Sequence, residues 1–216
     1  MVNKIIHMKQ MIKTIFSPLL IILIDFFISF ICNKIIGEWA FIPVAIVYWA
    51  LIFYTIKLDK GKIKEAFQAS KQFGKHSFLA YIPCLLCIIA FVWGLQYIIL
   101  SPVLIILSIL FVVINPIAEE LFWRQYLLDN LNWNNLGKVI YSTFLFMLSH
   151  PLMWGVFSVT IRSSIMIMPL FIMGIIWSIV YIKTKTLRHC IIAHALVDTL
   201  NLSIWVFLNI YVPPVV

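Results

Sequence analysis

FLAYIPCLLCIIAFVWGLQYIILSPVLIILSILFVVINPIA, residues 78–118, runs for 41 positions without a charge or a histidine and then meets Glu119, Glu120 and Arg124. A run of that length is enough for two helices across a hydrocarbon core, at roughly 20 residues per crossing. The charges that end it are costly there. Each is worth roughly 2.5 to 3.5 kcal/mol at the centre of a membrane helix, so charges retained at such depth point to function.

Working outward, composition agrees with this reading. The chain is 63% hydrophobic and 11% charged, with a mean hydropathy of +1.06, far beyond the roughly half apolar content of soluble domains. The expected fold is an all-α polytopic membrane protein, a bundle of about seven transmembrane helices forming a single integral membrane domain over 1–216. The apolar runs place the spans at about Ile15 to Ile36, Trp39 to Leu58, Phe78 to Leu100, Pro102 to Leu128, Val139 to Phe157, Ser163 to Ile182 and Leu187 to Ile210.

Lysine and arginine set the expected orientation, because cytoplasmic loops retain them. With the N-terminus inside, thirteen of the sixteen fall on inner segments, and only Lys34 and Arg162 lie outside. The C-terminus is then outside the cell membrane. The first apolar run is longer than a signal-peptide core and has no small-residue cleavage site after it, so it reads as an uncleaved anchor. The loop from Asp59 to Ser77 spaces Ile63, Ala66, Phe67 and Phe73 among lysines, the pattern of a segment lying on an anionic leaflet. Topology and lipid thus account for the net charge of +8, and no nucleic-acid partner is expected. Cys84 and Cys87 form a C-x-x-C in the middle of an apolar span, where buried cysteine behaves as a small hydrophobe.

Three segments carry the chemistry. In the first, Glu120 and Arg124 are spaced i, i+4 and pair on one helix face, whereas Glu119 points about 100° away and is left free. Asn115 before Pro116 reads as an N-cap and first helical position, so the helix is expected to restart there. The second holds Phe146 and His150, with Pro151 placing a kink at the histidine. In the third, His194 and Asp198 share a face, to which Asn201 returns at i+7. His189 lies off that face near the cytoplasmic end. At 1.5 Å per residue, Glu119, His150, His194 and Asp198 all come to roughly 10 to 16 Å from the inner ends of their helices. A polar site in the cytoplasmic half of the bundle is expected.

A carboxylate and a histidine around a water can perform general-base attack on a carbonyl, and a second histidine can stabilise the oxyanion. No serine or cysteine stands in a nucleophile setting such as G-x-S-x-G, so water is the expected nucleophile. The set Glu119, His150, His194 and Asp198 could instead hold zinc, two histidines and a carboxylate being a familiar catalytic set, although H-E-x-x-H is absent. No cofactor is favoured.

These residues resemble the CAAX protease and bacteriocin-processing family, also called the Abi family of intramembrane proteases. Its pattern is E-E-x-x-x-R, then F-x-x-x-H, then H-x-x-x-N or H-x-x-x-D. It stands here as Glu119, Glu120, Arg124; Phe146, His150; and His194, Asp198, within a family-like core of about 114–201. The resemblance implies a glutamate-dependent endopeptidase in which Glu119 and His150 activate water while His194 and the residue at Asp198 support the oxyanion. Glu120, Arg124, Phe146 and Asn201 would support them. Eukaryotic relatives have asparagine where Asp198 stands, and an ionised aspartate cannot donate a hydrogen bond, so at this position the oxyanion role does not transfer. The bacterial branch tolerates aspartate. It implies processing of a small peptide or membrane protein, or self-immunity to a bacteriocin. Rival readings are a non-catalytic immunity or scaffold protein, a zinc-dependent intramembrane protease, and a transporter using Asp25 in the first span.

Overall fold

The computed structural model describes residues 2–68 and 74–213, with side chains from residue 8 onward except Lys75. It is all-helical, with no strand among the described residues. Five stretches are long and apolar enough to cross a membrane: Met8–Ile56, His76–Tyr97, Pro102–Asn130, Asn135–Val156 and Ser164–Thr184. Laid straight, the 49 residues of the first would measure roughly 74 Å at 1.5 Å per residue, more than twice the hydrocarbon thickness. It is folded back on itself. Helix α1 (Val2–Ile36) packs on α2 (Phe41–Ile56) across a turn in which Gly37 takes φ 58, a backbone conformation glycine adopts without steric cost.

The remaining elements differ from the expected spans where the backbone breaks. A short helix α3 (Lys60–Ala66) follows α2, capped by Asp59, which accepts from the Lys62 backbone N–H at 2.8 Å. That bond holds the exposed Asp59 carboxyl below its ordinary pKa. Ala66 of α3 is buried while Ile63 and Phe67 stay exposed; Lys71 and Phe73 lie outside the described residues. The third apolar run is split into α4 (Lys75–Leu79) and α5 (Ile82–Gly94). Helix α6 (Pro102–Glu119) continues through a π-helical segment, Glu120–Tyr126, into α7 (Leu127–Asn130). Then come α8 (Asn135–Met153) and α9 (Ile167–Thr184). The last apolar run is broken into two helices. Helix α10 (Arg188–Leu200) ends before Leu202, whose φ of 53 turns the chain into α11 (Ser203–Phe207).

The packing is arranged for lipid as the outer solvent. Leu20, Leu23, Phe27 and Ile31 of α1 and Leu85, Leu86 and Ile89 of α5 are exposed, whereas Asp25, Ser29, Glu119, Glu120 and Arg124 are wholly buried. Polar groups turned inward and apolar groups outward are what hydrocarbon surroundings demand. Helix α9 lies along α8, and α10 packs on α5 and α6. The α8/α9 contact depends on Gly174, where an added Cβ would meet Thr143 Cγ2 at 2.7 Å. Because a β-branched neighbour has little freedom to give way, Gly174→Ala is expected to cost about 1 to 3 kcal/mol. Thermal unfolding in detergent measures it, and an unchanged midpoint would mean that the helices slide apart freely.

Candidate active site

The first motif is built differently from the expected helix restart. Pro116 sits inside α6, which runs without a break, and Asn115 is not a cap: its Oδ1 accepts from Trp49 Nε1 at 3.1 Å and its Nδ2 donates to Asp198 Oδ2 at 3.4 Å. Neighbouring helices thus satisfy the amide that a soluble helix would turn on its own backbone. Directly after Glu119 the chain takes up π-helical turns, a local widening that tends to occur at functional sites.

Both carboxylates of the motif converge on His194, which corrects the expectation that Glu119 faces away alone. Glu120 Oε1 lies 2.9 Å from His194 Nδ1, and Glu119 Oε2 lies 3.6 Å from Nε2. Asp198 Oδ2 approaches the same Nε2 at 3.8 Å. The imidazole of α10 reaches between two successive glutamates, so one ring takes up what a single helix face would have separated. Trp177 of α9 stacks on it with ring centres 4.6 Å apart and planes 24° apart.

Glu119 is held from the opposite side. Tyr48 of α2 donates to its Oε1 at 3.0 Å, and Trp123 Nε1 donates to the Tyr48 oxygen at 3.0 Å. Its Oε2 makes no hydrogen bond among the described residues. One oxygen is fixed by a hydrogen bond and the other faces His194 without one.

The expected pairing of Glu120 with Arg124 is present, with Arg124 Nε 3.3 Å from Glu120 Oε2 and both side chains fully buried. Hydrogen bonds do not complete it, since no guanidinium nitrogen has a hydrogen-bond partner among the described residues. The cation instead lies over the rings of Phe146, at 4.2 Å, and Trp177, at 5.3 Å, an arrangement that stabilises a desolvated charge by about 2 kcal/mol. Phe146 also meets His150 edge-on at 4.8 Å, so it separates the guanidinium from the histidine one turn later.

Helix α8 runs through Pro151 to Met153, and His150 does not end it. The ring is fixed by Nδ1, which lies 2.8 Å from the Phe146 carbonyl oxygen. A carbonyl only accepts, so Nδ1 carries the hydrogen and a neutral ring presents Nε2 as an acceptor. No hydrogen bond joins His150 to Glu119 among the described residues. His150 lines an internal space, and Glu119 lies behind His194, which lines the same space.

That space is a cavity of about 370 Å³, within the range of small-ligand pockets. Its polar groups include Asn115, His150, His194, Asp198, Asn201 and Ser203, and its apolar walls include Phe111, Phe146, Trp154, Leu170, Met173 and Phe207. His194, Asp198 and Asn201 all reach it from one side of α10, as their spacing requires. His189 lies off that face, with Nδ1 3.1 Å from the Tyr81 hydroxyl. Asp25 is buried with neither carboxyl oxygen hydrogen-bonded among the described residues, and it does not line the cavity. All four cysteines are free, and Cys84 Sγ lies 3.4 Å from the Ala193 carbonyl.

The zinc set does not assemble. Among the described residues no three His, Cys, Asp or Glu side chains are placed to hold one metal ion, and both nitrogens of His194 already face carboxylates. Sequence reasoning missed Tyr48, Trp49, Trp123 and Trp177. The only signal available was an aromatic ring with a polar tip inside an apolar span, where buried tyrosine and tryptophan usually find a partner.

No curated protein and no solved structure matches this chain. Residues 101–200, however, match the Rce1-like family, described as Type II CAAX prenyl endopeptidase Rce1-like. The matched stretch holds α6, α8, α9 and α10, and with them Glu119, Glu120, Arg124, Phe146, His150, His194 and Asp198, while Asn201 follows directly after it. Through this stretch, a little under half of its length, the chain is similar to the Rce1-like CAAX protease family.

Proposed function

We propose that the chain is a seven-pass intramembrane endopeptidase that hydrolyses a small peptide or membrane protein with a water activated by Glu119 and His150. The family implies intramembrane protease activity in general. The observation that carries the finer reading is the asymmetry of Glu119, with Oε1 held by Tyr48 and Oε2 without a hydrogen bond, one helix away from the unpaired Nε2 of His150. A water between them gives its proton to Glu119 and keeps a hydrogen bond to His150. Its oxygen adds to the peptide carbonyl carbon, and the carbonyl electron pair moves onto oxygen. The oxyanion then reforms the carbonyl, the C–N bond breaks, and the proton held by Glu119 goes to the departing amine. Acid and amine are the products. The fully buried Arg124 balances Glu120, while Glu119, one position earlier, has Asn115 and His194 beside it, both of which line the cavity.

In a cell this reaction fits maturation of a small peptide, or destruction of one in self-immunity to a bacteriocin. Peptide mass spectrometry of membranes carrying wild type or Glu119→Gln tests it. Peptides released only by the wild type are expected, and identical peptide sets would favour a non-catalytic immunity protein. The orientation proposed with it follows from the two outer and thirteen inner lysines and arginines. A reporter fused at Val216 is expected outside the cell, with the site in the cytoplasmic half. A cytoplasmic reporter would remove one span and reverse the depth of the third motif.

A further inference from the structure

Hydrolysis at this site requires a hydrogen-bond donor for the oxyanion, and carboxylates crowd the position where one is needed. Asp198, when ionised, only accepts. Nδ1 of His150 is committed to the Phe146 carbonyl, and both nitrogens of His194 face carboxylates. The Ser203 hydroxyl donates to the Asp198 carbonyl oxygen at 2.9 Å, the Trp177 ring N–H donates to the Ala80 carbonyl at 3.0 Å, and Asn201 stands at the C-cap past the end of α10.

Asn115 remains. It is only 4% exposed and lines the cavity, one helical turn before Glu119 on the same face of α6. Its amide orientation is settled by chemistry: the Trp49 ring N–H can only donate, so it must meet Oδ1, which turns the NH₂ group toward Asp198 and the cavity. An NH₂ group has two hydrogens. One is directed at Asp198 Oδ2, and the other has no acceptor among the described residues.

Resting on the endopeptidase reading above, we propose that Asn115 is a catalytic residue of this chain, its second amide hydrogen binding the oxyanion and making up for the donor that aspartate at position 198 cannot provide. Asp198 then has a positioning role, holding the first hydrogen of Asn115 and the Nε2 side of His194. Trp49 acts through Asn115 in the same way.

The test measures the rate of release of peptides whose appearance depends on Glu119, using purified protein shown by monodisperse elution to be folded. Asn115→Ala is expected to lower kcat by about 100-fold to 1,000-fold, the usual loss for one oxyanion donor, with little change in KM. Asp198→Asn returns an amide to the same spot, so Asn115→Ala combined with Asp198→Asn is expected to recover most of the lost rate. A purely structural amide would not be rescued in this way. Trp49→Phe, which frees the Asn115 amide to turn, is expected to lose less than Asn115→Ala. Wild-type rates in folded Asn115→Ala, or no recovery in the folded double variant, would overturn the assignment while leaving the protease reading intact. If Glu119→Gln changes no peptide, the reading and the assignment fall together.

Discussion

Glu119→Gln and His150→Ala are each expected to reduce peptide release by about 100-fold or more, while both variants accumulate in membranes at wild-type levels. The amide that replaces the Glu119 carboxylate keeps the size of the side chain and an oxygen to accept from Tyr48, so the scaffold around α2 and α6 has no reason to collapse. What is lost is basicity. His150→Ala removes a half-buried ring from the cavity wall and with it the second acceptor for the water. Rates measured on purified protein against a Glu119-dependent peptide decide the matter, and undiminished turnover in either variant removes that residue from the mechanism.

Arg124→Ala should act on folding first. Its guanidinium is fully buried against Glu120, and stranding one member of such a pair costs about 3 to 5 kcal/mol, a large part of the stability of an ordinary domain. Low folded yield and a lowered unfolding temperature in detergent are expected, with activity falling alongside. Arg124→Lys should recover little, because the faces of Phe146 and Trp177 suit a flat delocalised cation better than an ammonium. A variant that accumulates and unfolds like wild type yet is inactive would show that Arg124 acts on substrate, for instance on a carboxylate.

The residues that could be read from spacing alone are those whose neighbours lie on the same helix. Glu120 with Arg124, and His194 with Asp198 and Asn201, follow from helical periodicity, and the structure brings them together as expected. Glu119 departs from its expected place because its partner comes from another helix: His194 reaches across to both glutamates, and the π-helical turns begin at the very next residue. An extra residue per turn leaves no mark on composition. Asn115 departs for a related reason, since asparagine before proline is a capping signal only where no other helix offers a partner. Tyr48 and Trp49 were hidden among the aromatic and aliphatic residues of α2, in which a polar tip aimed at the core has the same letter as one aimed at the lipid interface. The last apolar run looked continuous because leucine at position 202 does not announce a left-handed turn.

Tyr48 and Trp49 are adjacent in α2, and both send a hydrogen bond into the stretch that carries the family likeness, one to Glu119 and the other to Asn115. Neither belongs to residues 101–200. The motif-bearing part is therefore no portable cassette. A fragment cut at residue 101, or a hybrid given α2 from a distant relative, would retain every glutamate and histidine of the pattern and lose the two donors that aim them. Substitutions in α2 and in the motif helix are expected to be inherited together, although the family match does not reach the N-terminal hairpin.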